Sequence, residues 1–199
     1  MSAVDHLLAA FRDYLLSRSD LTLRHFIEDF QWSMEERPLV PRDLPVVACL
    51  GEHRRPNGAA EGSLFDSLRD AAGMLHWAQT YSITDFGADF LERYGWVELF
   101  GTRGHFASDE MAGGFLLLGP EVHYPDHHHE AEEIYIPLTD GSQWSKDGQP
   151  FLPRWSGEVI HHPSNIRHAM RTEATPLVAL YLWRGGPLAQ KSIISGRTG

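Results

Sequence analysis

The residues best suited to do chemistry lie in a histidine-rich stretch in the second half of the chain. Three of the 12 histidines are consecutive there, His127, His128 and His129. In an extended strand, side chains two residues apart share a face, so His127 and His129 can converge while His128 points away. Two converging imidazoles are typical of a metal site. Taken alone, the same triplet also fits an incidental, exposed strand.

A carboxylate and a third histidine strengthen the metal interpretation. Glu133 and Tyr135 are again two residues apart, so both can project to one side of a strand, and His168 comes from a later segment. Imidazole and carboxylate ligands together favour a borderline divalent ion. We expect one such ion, zinc or iron, with manganese, nickel or cobalt as alternatives. The predicted metal ligands are His129, Glu133, His168, His127 and Tyr135.

A phenol could supply the base that such a site needs. Tyrosine ordinarily titrates at about pH 10, but a divalent cation beside the ring stabilises the phenolate and lowers that pKa. Tyr135, next to Glu133 in the pattern, is the first candidate for the base, and Tyr124 is the second. The alternative for Tyr135 is a tyrosine that simply packs in a core. His161 and His162 precede a proline and are predicted to pack or to face solvent.

The elements that must position these residues differ between the two halves of the chain. In the first half, apolar residues recur at the three-and-four spacing of amphipathic helices. Ser63 is the expected N-cap of one of them. Residues 1–95 are therefore predicted to form a helical N-terminal region. Its predicted helices lie near residues 4–16, 26–30, 63–75 and 84–94.

From Trp96 onwards, short apolar runs alternate with turn-forming pairs such as Gly113-Gly114 and Asp140-Gly141. This pattern is typical of antiparallel strands in a sandwich or barrel. Residues 96–199 are therefore predicted to form a β-barrel that holds the metal. The alternative is one α+β core without a distinct barrel. The predicted strands include residues 96–100, 115–118, 134–138 and 177–183.

The ligand candidates resemble the two sequence motifs of the cupin superfamily. The matching segments are His127-x-His129-x3-Glu133 with Gly141, and Gly157-x5-Pro163-x-Asn165-x2-His168. Two departures are visible: Gly141 comes one residue late, and Asn165 stands where glycine is usual. Asparagine tolerates a left-handed backbone better than most residues. The resemblance implies an α+β, mainly β fold, in which a helical N-terminal part caps a double-stranded β-helix barrel with the metal inside.

A longer resemblance covers most of the chain. The helical first half, the tract from Tyr124 to Tyr135, and Trp183 near the last strand together resemble the bacterial dimethylsulfoniopropionate (DMSP) lyases of the DddQ type. The resemblance implies a carbon–sulfur lyase that cleaves DMSP to dimethyl sulfide and acrylate by metal-assisted β-elimination. It implies catalytic roles for Tyr135 and Tyr124 and substrate contacts from Trp183, His127 and Tyr124. Whether His127 binds metal or substrate stays open.

Two other functions remain compatible with a cupin barrel. One is an iron-dependent dioxygenase that acts on a small organic molecule. The other is a ligand-binding cupin without catalysis. Elimination consumes no oxidant, so independence from oxygen separates a lyase from the dioxygenase, and turnover itself separates it from the binding protein.

Composition excludes several classes of partner. The chain has 27 acidic and 17 basic residues and a formal net charge of −10, which disfavours nucleic acids and anionic membrane surfaces. No apolar run approaches the roughly 18 residues of a membrane span, and the start lacks the basic segment of a signal peptide. Cys49 is the only cysteine, so no intramolecular disulfide can form. We expect a cytoplasmic monomer or homodimer.

Overall fold

Helices dominate the chain up to Glu92, and strands follow from Tyr94. The computed structural model describes residues 2–195; Met1 and residues 196–199, which the predicted regions include, lie outside the described residues. Within this range, no helix has both the length and the apolar character needed to cross a bilayer. The helices are α1 (Ala3–Ser17), α2 (Leu21–Ile27), α3 (Cys49–Glu52), α4 (Ala59–Ala71) and α5 (Ile83–Glu92), with 3-10 turns at Pro45–Ala48 and Ala72–Met74.

Local sequence explains where the longer helices begin. At the start of α1, the Ser2 side chain accepts from the Asp5 backbone N–H while the Asp5 carboxylate accepts from the Ser2 N–H, which is the reciprocal pattern of a capping box. The expected N-cap at Ser63 is wrong. The α4 helix begins at Ala59, one turn earlier, and the Ser63 hydroxyl donates to the Ala59 carbonyl at 2.9 Å inside the helix.

The strands form two sheets whose inner side chains share one hydrophobic cluster. The larger sheet has the order β2-β1-β3-β10-β5-β8, and the smaller has the order β11-β4-β9-β6-β7. This is the expected α+β, mainly β fold, in which a helical N-terminal part precedes a barrel of two facing sheets. The strands are β1 (Tyr94–Gly101), β2 (Phe106–Ala107), β3 (Met111–Leu118), β4 (His123–His128), β5 (Glu132–Pro137), β6 (Ser142–Lys146), β7 (Leu152–Arg154), β8 (Ile160–His162), β9 (His168–Arg171), β10 (Leu177–Arg184) and β11 (Ile193–Ile194).

Both faces of the larger sheet are largely buried because helices cover its outer side. Along β10, Leu180 belongs to the outer cluster with the helices, whereas Tyr181 belongs to the cluster inside the barrel. The α1 residue Phe11 meets Phe100 and Phe115 of the sheet edge to face, with ring centroids 5.6 and 5.4 Å apart. The outer cluster thus runs from α1 into the strands, and the division of the chain at residue 95 stays a prediction.

The last helix and the segment before it behave differently from α1 and α4. Tyr81, Phe86 and Phe90 belong to or pack on the cluster inside the barrel, together with Tyr94 and Tyr124. This part of the helical region therefore inserts its aromatic side chains between the sheets. As a result, the helical region and the barrel both contribute aromatic side chains to this cluster.

Candidate active site

Three side chains from separate parts of the barrel meet at one buried point. Glu133 lies on β5, His168 begins β9, and His129 directly follows β4. Their potential ligand atoms all lie within 4.8 Å of one another. Glu133 Oε2 is 3.0 Å from His129 Nε2 and 3.2 Å from His168 Nε2. All three residues are buried, with Glu133 and His168 fully enclosed.

Backbone carbonyls orient the imidazoles of this region. A carbonyl can only accept a hydrogen bond, so each Nδ1 that faces one carries the proton. For a neutral ring, Nε2 is then the lone-pair atom, which is the usual arrangement of metal-binding histidine. His168 Nε2 is buried without a hydrogen-bond partner among residues 2–195. The pairs are His127 with the Pro125 carbonyl (2.9 Å), His129 with that of Ala131 (2.8 Å) and His168 with that of Ile166 (3.0 Å).

The buried Glu133 carboxylate is stabilised by a positive charge beside it. Burial alone would raise the pKa of Glu133, but the His129 charge and the hydrogen bond with the His129 ring lower it well below its ordinary value. Burial lowers the pKa of His129, yet the Glu133 carboxylate more than offsets this, and the net pKa is raised. A proton between the two side chains supplies this positive charge, and a divalent ion in the same place would supply it too. The donor set therefore fits a metal.

His127 lies beside the three-residue group rather than within it. Its ring centroid is 4.1 Å from that of His168, and its other face stacks on Tyr124 at 4.0 Å with an interplanar angle of 7°. A register shift between Tyr124 and His127 on β4 permits this stacking of residues three apart. Burial, followed by the His168 charge, lowers the pKa of His127 well below its ordinary value. His128 points away and contacts Ser195.

His162 is a site residue that the sequence reasoning missed. It is buried and stacks on His168, with ring centroids 4.1 Å apart and an interplanar angle of 12°. Its Nδ1 lies 3.8 Å from Glu133 Oε2. Strand alternation could have indicated this burial, because Ile160 and His162 share a face on β8. In the structure, His162 stands opposite Glu133 in the register of β8 and β5. His161 faces the other way and pairs with Glu132 at 2.5 Å.

Trp183 contacts two of the predicted ligands. Its indole N–H donates to Glu133 Oε1 at 2.5 Å, and its ring lies 4.0 Å from the His129 ring, centroid to centroid. The two oxygens of Glu133 thus have different partners, since Oε2 faces the imidazoles and Oε1 accepts the hydrogen bond from the indole. Trp183 therefore orients a candidate metal ligand, in addition to forming part of the cavity wall.

The two candidate bases are both buried phenols in the same wall. Tyr135 lies two residues from Glu133 on β5, and burial, followed by the Glu133 charge, raises its pKa well above the ordinary value. For Tyr124, burial and then the neighbouring Tyr94 and Tyr81 raise the pKa. Each phenol is therefore neutral near pH 7 unless a positive charge is added beside it.

The site opens on a cavity of about 260 Å³ between the sheets. Its walls include the Glu133 carboxylate and six tyrosine and tryptophan rings, and the segment 188–192 lies along its edge. Ligand cavities for drug-sized molecules are typically about 300–1,000 Å³, so this one suits a small substrate. The aromatic residues that line it are Tyr94, Trp96, Tyr124, Tyr135, Tyr181 and Trp183.

The two departures from the cupin motifs have local explanations. Asn165 adopts φ = +61°, the left-handed conformation that asparagine tolerates better than most residues. Its backbone N–H donates to the His129 carbonyl at 2.8 Å and so ties the second motif to the first. Gly141 has φ = +91° and ends the turn between β5 and β6.

Comparisons with known proteins identify the family of the chain. Residues 19–179 match the family model described as dimethylsulfoniopropionate lyase. The chain is 33% identical over 153 residues to the dimethylsulfoniopropionate lyase DddQ of Ruegeria pomeroyi, and the alignment covers 77% of this chain and 76% of that protein.

Solved structures agree over nearly the whole length. The crystal structure of DddQ from Ruegeria pomeroyi matches with a TM-score of 0.88 and 31% identity, covering 99% of this chain and 98% of that chain. A structure from a crystallographic study of the DMSP lyases RdDddP and RnDddQII matches with a TM-score of 0.89 and 30% identity, covering 97% of both chains. The chain therefore belongs to the dimethylsulfoniopropionate lyase family of enzymes.

Proposed function

We propose that this lyase cleaves DMSP to dimethyl sulfide and acrylate by β-elimination. A base removes the proton from the carbon next to the carboxylate, the carbon–carbon double bond forms, and the electrons of the carbon–sulfur bond leave with dimethyl sulfide. The supporting observation is the buried group of His129, Glu133 and His168 beside a small cavity whose lining includes both candidate bases, Tyr135 and Tyr124. Sequence and structural similarity to named DMSP lyases supports the same substrate.

The proposed metal ligands are His129, Glu133 and His168, with His127 as the fourth. His127 is neutral, because its pKa is lowered, and its Nδ1 proton is held by the Pro125 carbonyl. Its Nε2 can therefore accept but not donate, which suits a ligand better than a partner for a substrate carboxylate. A divalent cation bound there would supply positive charge that stabilises both a nearby phenolate and the charge developing on the substrate carboxylate.

We assign the base to Tyr135. Its position two residues from Glu133 on β5 places the phenol on the same face of the strand as that carboxylate, and the ring lines the cavity. Burial keeps the phenol protonated until a cation is present beside it. Activity of Tyr135 would thus depend on a filled site. Tyr124 also lines the cavity and is the second candidate.

Aromatic rings, rather than a carboxylate, are proposed to face the sulfonium group. A methylated cation interacts with the faces of tryptophan and tyrosine rings, and this contact does not hold the substrate as tightly as an ion pair would. Trp183 contributes to this wall, although the His129 ring already lies against part of the indole, with ring centroids 4.0 Å apart. Tyr181, on the same strand, is buried and borders the cavity.

Substitution of Trp183 separates its two proposed roles. Trp183→Phe keeps a ring in the wall but deletes the N–H that Glu133 accepts, so we expect metal affinity to fall about 10- to 100-fold, the usual range for losing an outer hydrogen-bond partner. Trp183→Ala also removes the ring and should raise KM, because a cation–π contact contributes on the order of 0.5–2 kcal/mol. Chelator competition measures metal affinity, and steady-state kinetics measures KM.

Wild-type metal affinity in Trp183→Phe would mean that the indole hydrogen bond does not support the metal ligand. An unchanged KM in Trp183→Ala would remove the tryptophan from substrate binding and leave it as a packing residue.

Headspace analysis tests the proposed function directly. Metal-loaded protein is incubated with DMSP, in air and under anaerobic conditions, and dimethyl sulfide and acrylate are quantified together. We expect equal amounts of the two products and equal rates with and without oxygen, because elimination transfers no electrons to an oxidant. Absence of dimethyl sulfide would exclude DMSP as the substrate, and a requirement for oxygen would favour the cupin dioxygenase.

The remaining parts of the proposal concern the oligomeric state, location and partners of the protein. We propose a cytoplasmic monomer or homodimer that acts on a small molecule and does not bind nucleic acid. The supporting observations are the net charge of −10 and the single, buried, unpaired Cys49. Sedimentation of the purified protein distinguishes the monomer from the dimer.

A further inference from the structure

A pair of phenol hydroxyls lies just behind the wall of the cavity. The oxygens of Tyr81 and Tyr124 are 2.7 Å apart, and both residues are buried. Tyr124 lines the cavity, whereas Tyr81 is not among the residues from the described part of the chain that line it. The Tyr81 hydroxyl can therefore act on a bound substrate through Tyr124 rather than by direct contact.

We propose that Tyr81 is a positioning residue that sets the orientation of the Tyr124 hydroxyl in the lyase reaction. This inference rests on the proposed function, because it gives Tyr81 a place in the same elimination. It requires only that the Tyr124 hydroxyl acts in the transition state, as the base or as a group that stabilises the developing charge.

The need for such a partner follows from how Tyr124 is held. Stacking on His127 at 4.0 Å and an edge contact with Tyr94 at 5.5 Å fix the plane of the ring. Neither ring contact fixes the O–H bond, which turns about the carbon–oxygen axis. A hydroxyl oxygen at 2.7 Å restricts that rotation, so one lone pair or proton of Tyr124 stays directed at the cavity.

Tyr81 is itself held firmly enough to serve as this reference point. Its ring meets Phe86 edge to face at 4.7 Å. The Lys191 ammonium lies 5.3 Å from the ring centroid and is anchored by Asp85 at 3.2 Å. These contacts come from α5 and from the chain end, so Tyr81 links both to Tyr124.

A double-mutant cycle tests the proposal. Tyr81→Phe, Tyr124→Phe and the double variant are compared with the wild type by kcat, KM, metal content and melting temperature. We expect Tyr81→Phe to lower kcat about 3- to 10-fold, the scale of one neutral hydrogen bond, with KM and metal content unchanged. In the Tyr124→Phe background, the same substitution should have no further effect, because the hydroxyl that it positions is gone.

Tyr14→Phe is the matched control for losing a buried phenol oxygen. Its hydroxyl donates to Glu61 at 3.0 Å, outside the cavity, so kcat should stay at the wild-type value even where the melting temperature falls. An unchanged kcat in Tyr81→Phe would overturn the proposal. So would an equal loss in the wild-type and Tyr124→Phe backgrounds, which is the behaviour of a merely structural residue.

A spectroscopic measurement distinguishes failure of this proposal from failure of the proposed function. In protein labelled with ¹³C at the tyrosine Cζ, the resonance that disappears in Tyr124→Phe is assigned to Tyr124. Loss of its hydrogen bond should move this resonance in Tyr81→Phe but not in Tyr14→Phe. An unmoved resonance overturns the positioning role whatever the activity, whereas a moved resonance in a protein that releases no dimethyl sulfide would show that only the proposed function has failed.

Discussion

Replacing His129 or His168 by alanine is expected to empty the metal site and abolish the release of dimethyl sulfide. The two imidazoles reach Glu133 Oε2 from different segments, the end of β4 and the start of β9, at 3.0 and 3.2 Å, so neither can replace the other. We expect metal affinity to fall by more than about 100-fold, beyond the range for losing an outer hydrogen-bond partner. Elemental analysis after dialysis and headspace chromatography measure the two effects.

The neighbouring histidines provide matched controls. His128→Ala alters a side chain that contacts Ser195 instead of the site, and His161→Ala alters one that pairs with Glu132. Both should retain metal and activity. Added metal should raise the melting temperature of these controls, since an ion that binds only the folded state stabilises it, and should not raise that of the His129 or His168 variants. Full metal occupancy with normal turnover in the latter two would eliminate the proposed site.

Tyr135→Phe is expected to lower kcat by about 10²-fold or more, the scale of a lost general base, while the protein folds and binds metal. The substitution keeps the ring that packs against Trp144, with centroids 5.0 Å apart, and deletes the phenol oxygen that would carry the base. Exchange of the substrate α-hydrogen with deuterated water should fall along with kcat, because both require the same proton transfer.

Tyr124→Phe is the competing variant. If Tyr135 is the base, Tyr124→Phe should retain measurable exchange of the α-hydrogen and lose less of kcat than Tyr135→Phe. The reverse order in metal-loaded proteins would reassign the base to Tyr124. Metal content must be reported with each rate, because a phenolate that also binds the ion would lower occupancy in the same variant.

Much of the candidate site was readable from local spacing. The i, i+2 relation of His127 with His129 depends only on strand geometry, and the structure buries both while His128 points away. The expectation for Asn165 also follows from local conformational preference, and its φ is +61°. Such features need no knowledge of distant contacts.

Contacts between separate strands were not readable in this way. The role of Trp183 at Glu133 arises because β10 and β5 are neighbours in register, and the burial of His162 arises because β8 pairs with β5. In both cases, the partner is decided by sheet order. The start of α4 was missed for a related reason, since Ser63 has an N-cap side chain but its hydroxyl instead bonds the carbonyl one turn earlier.

The sequence by itself determined the fold class, the family and the kind of chemistry, because residue types, their periodicity and motif spacing are properties of the chain. The tertiary structure alone decided that His129, Glu133 and His168 meet at one point, that Trp183 holds the second Glu133 oxygen, and that Tyr81 reaches Tyr124. Ligand and hydrogen-bond distances of a few ångströms depend on strand register and on packing between sheets, and these are settled only when the whole barrel closes.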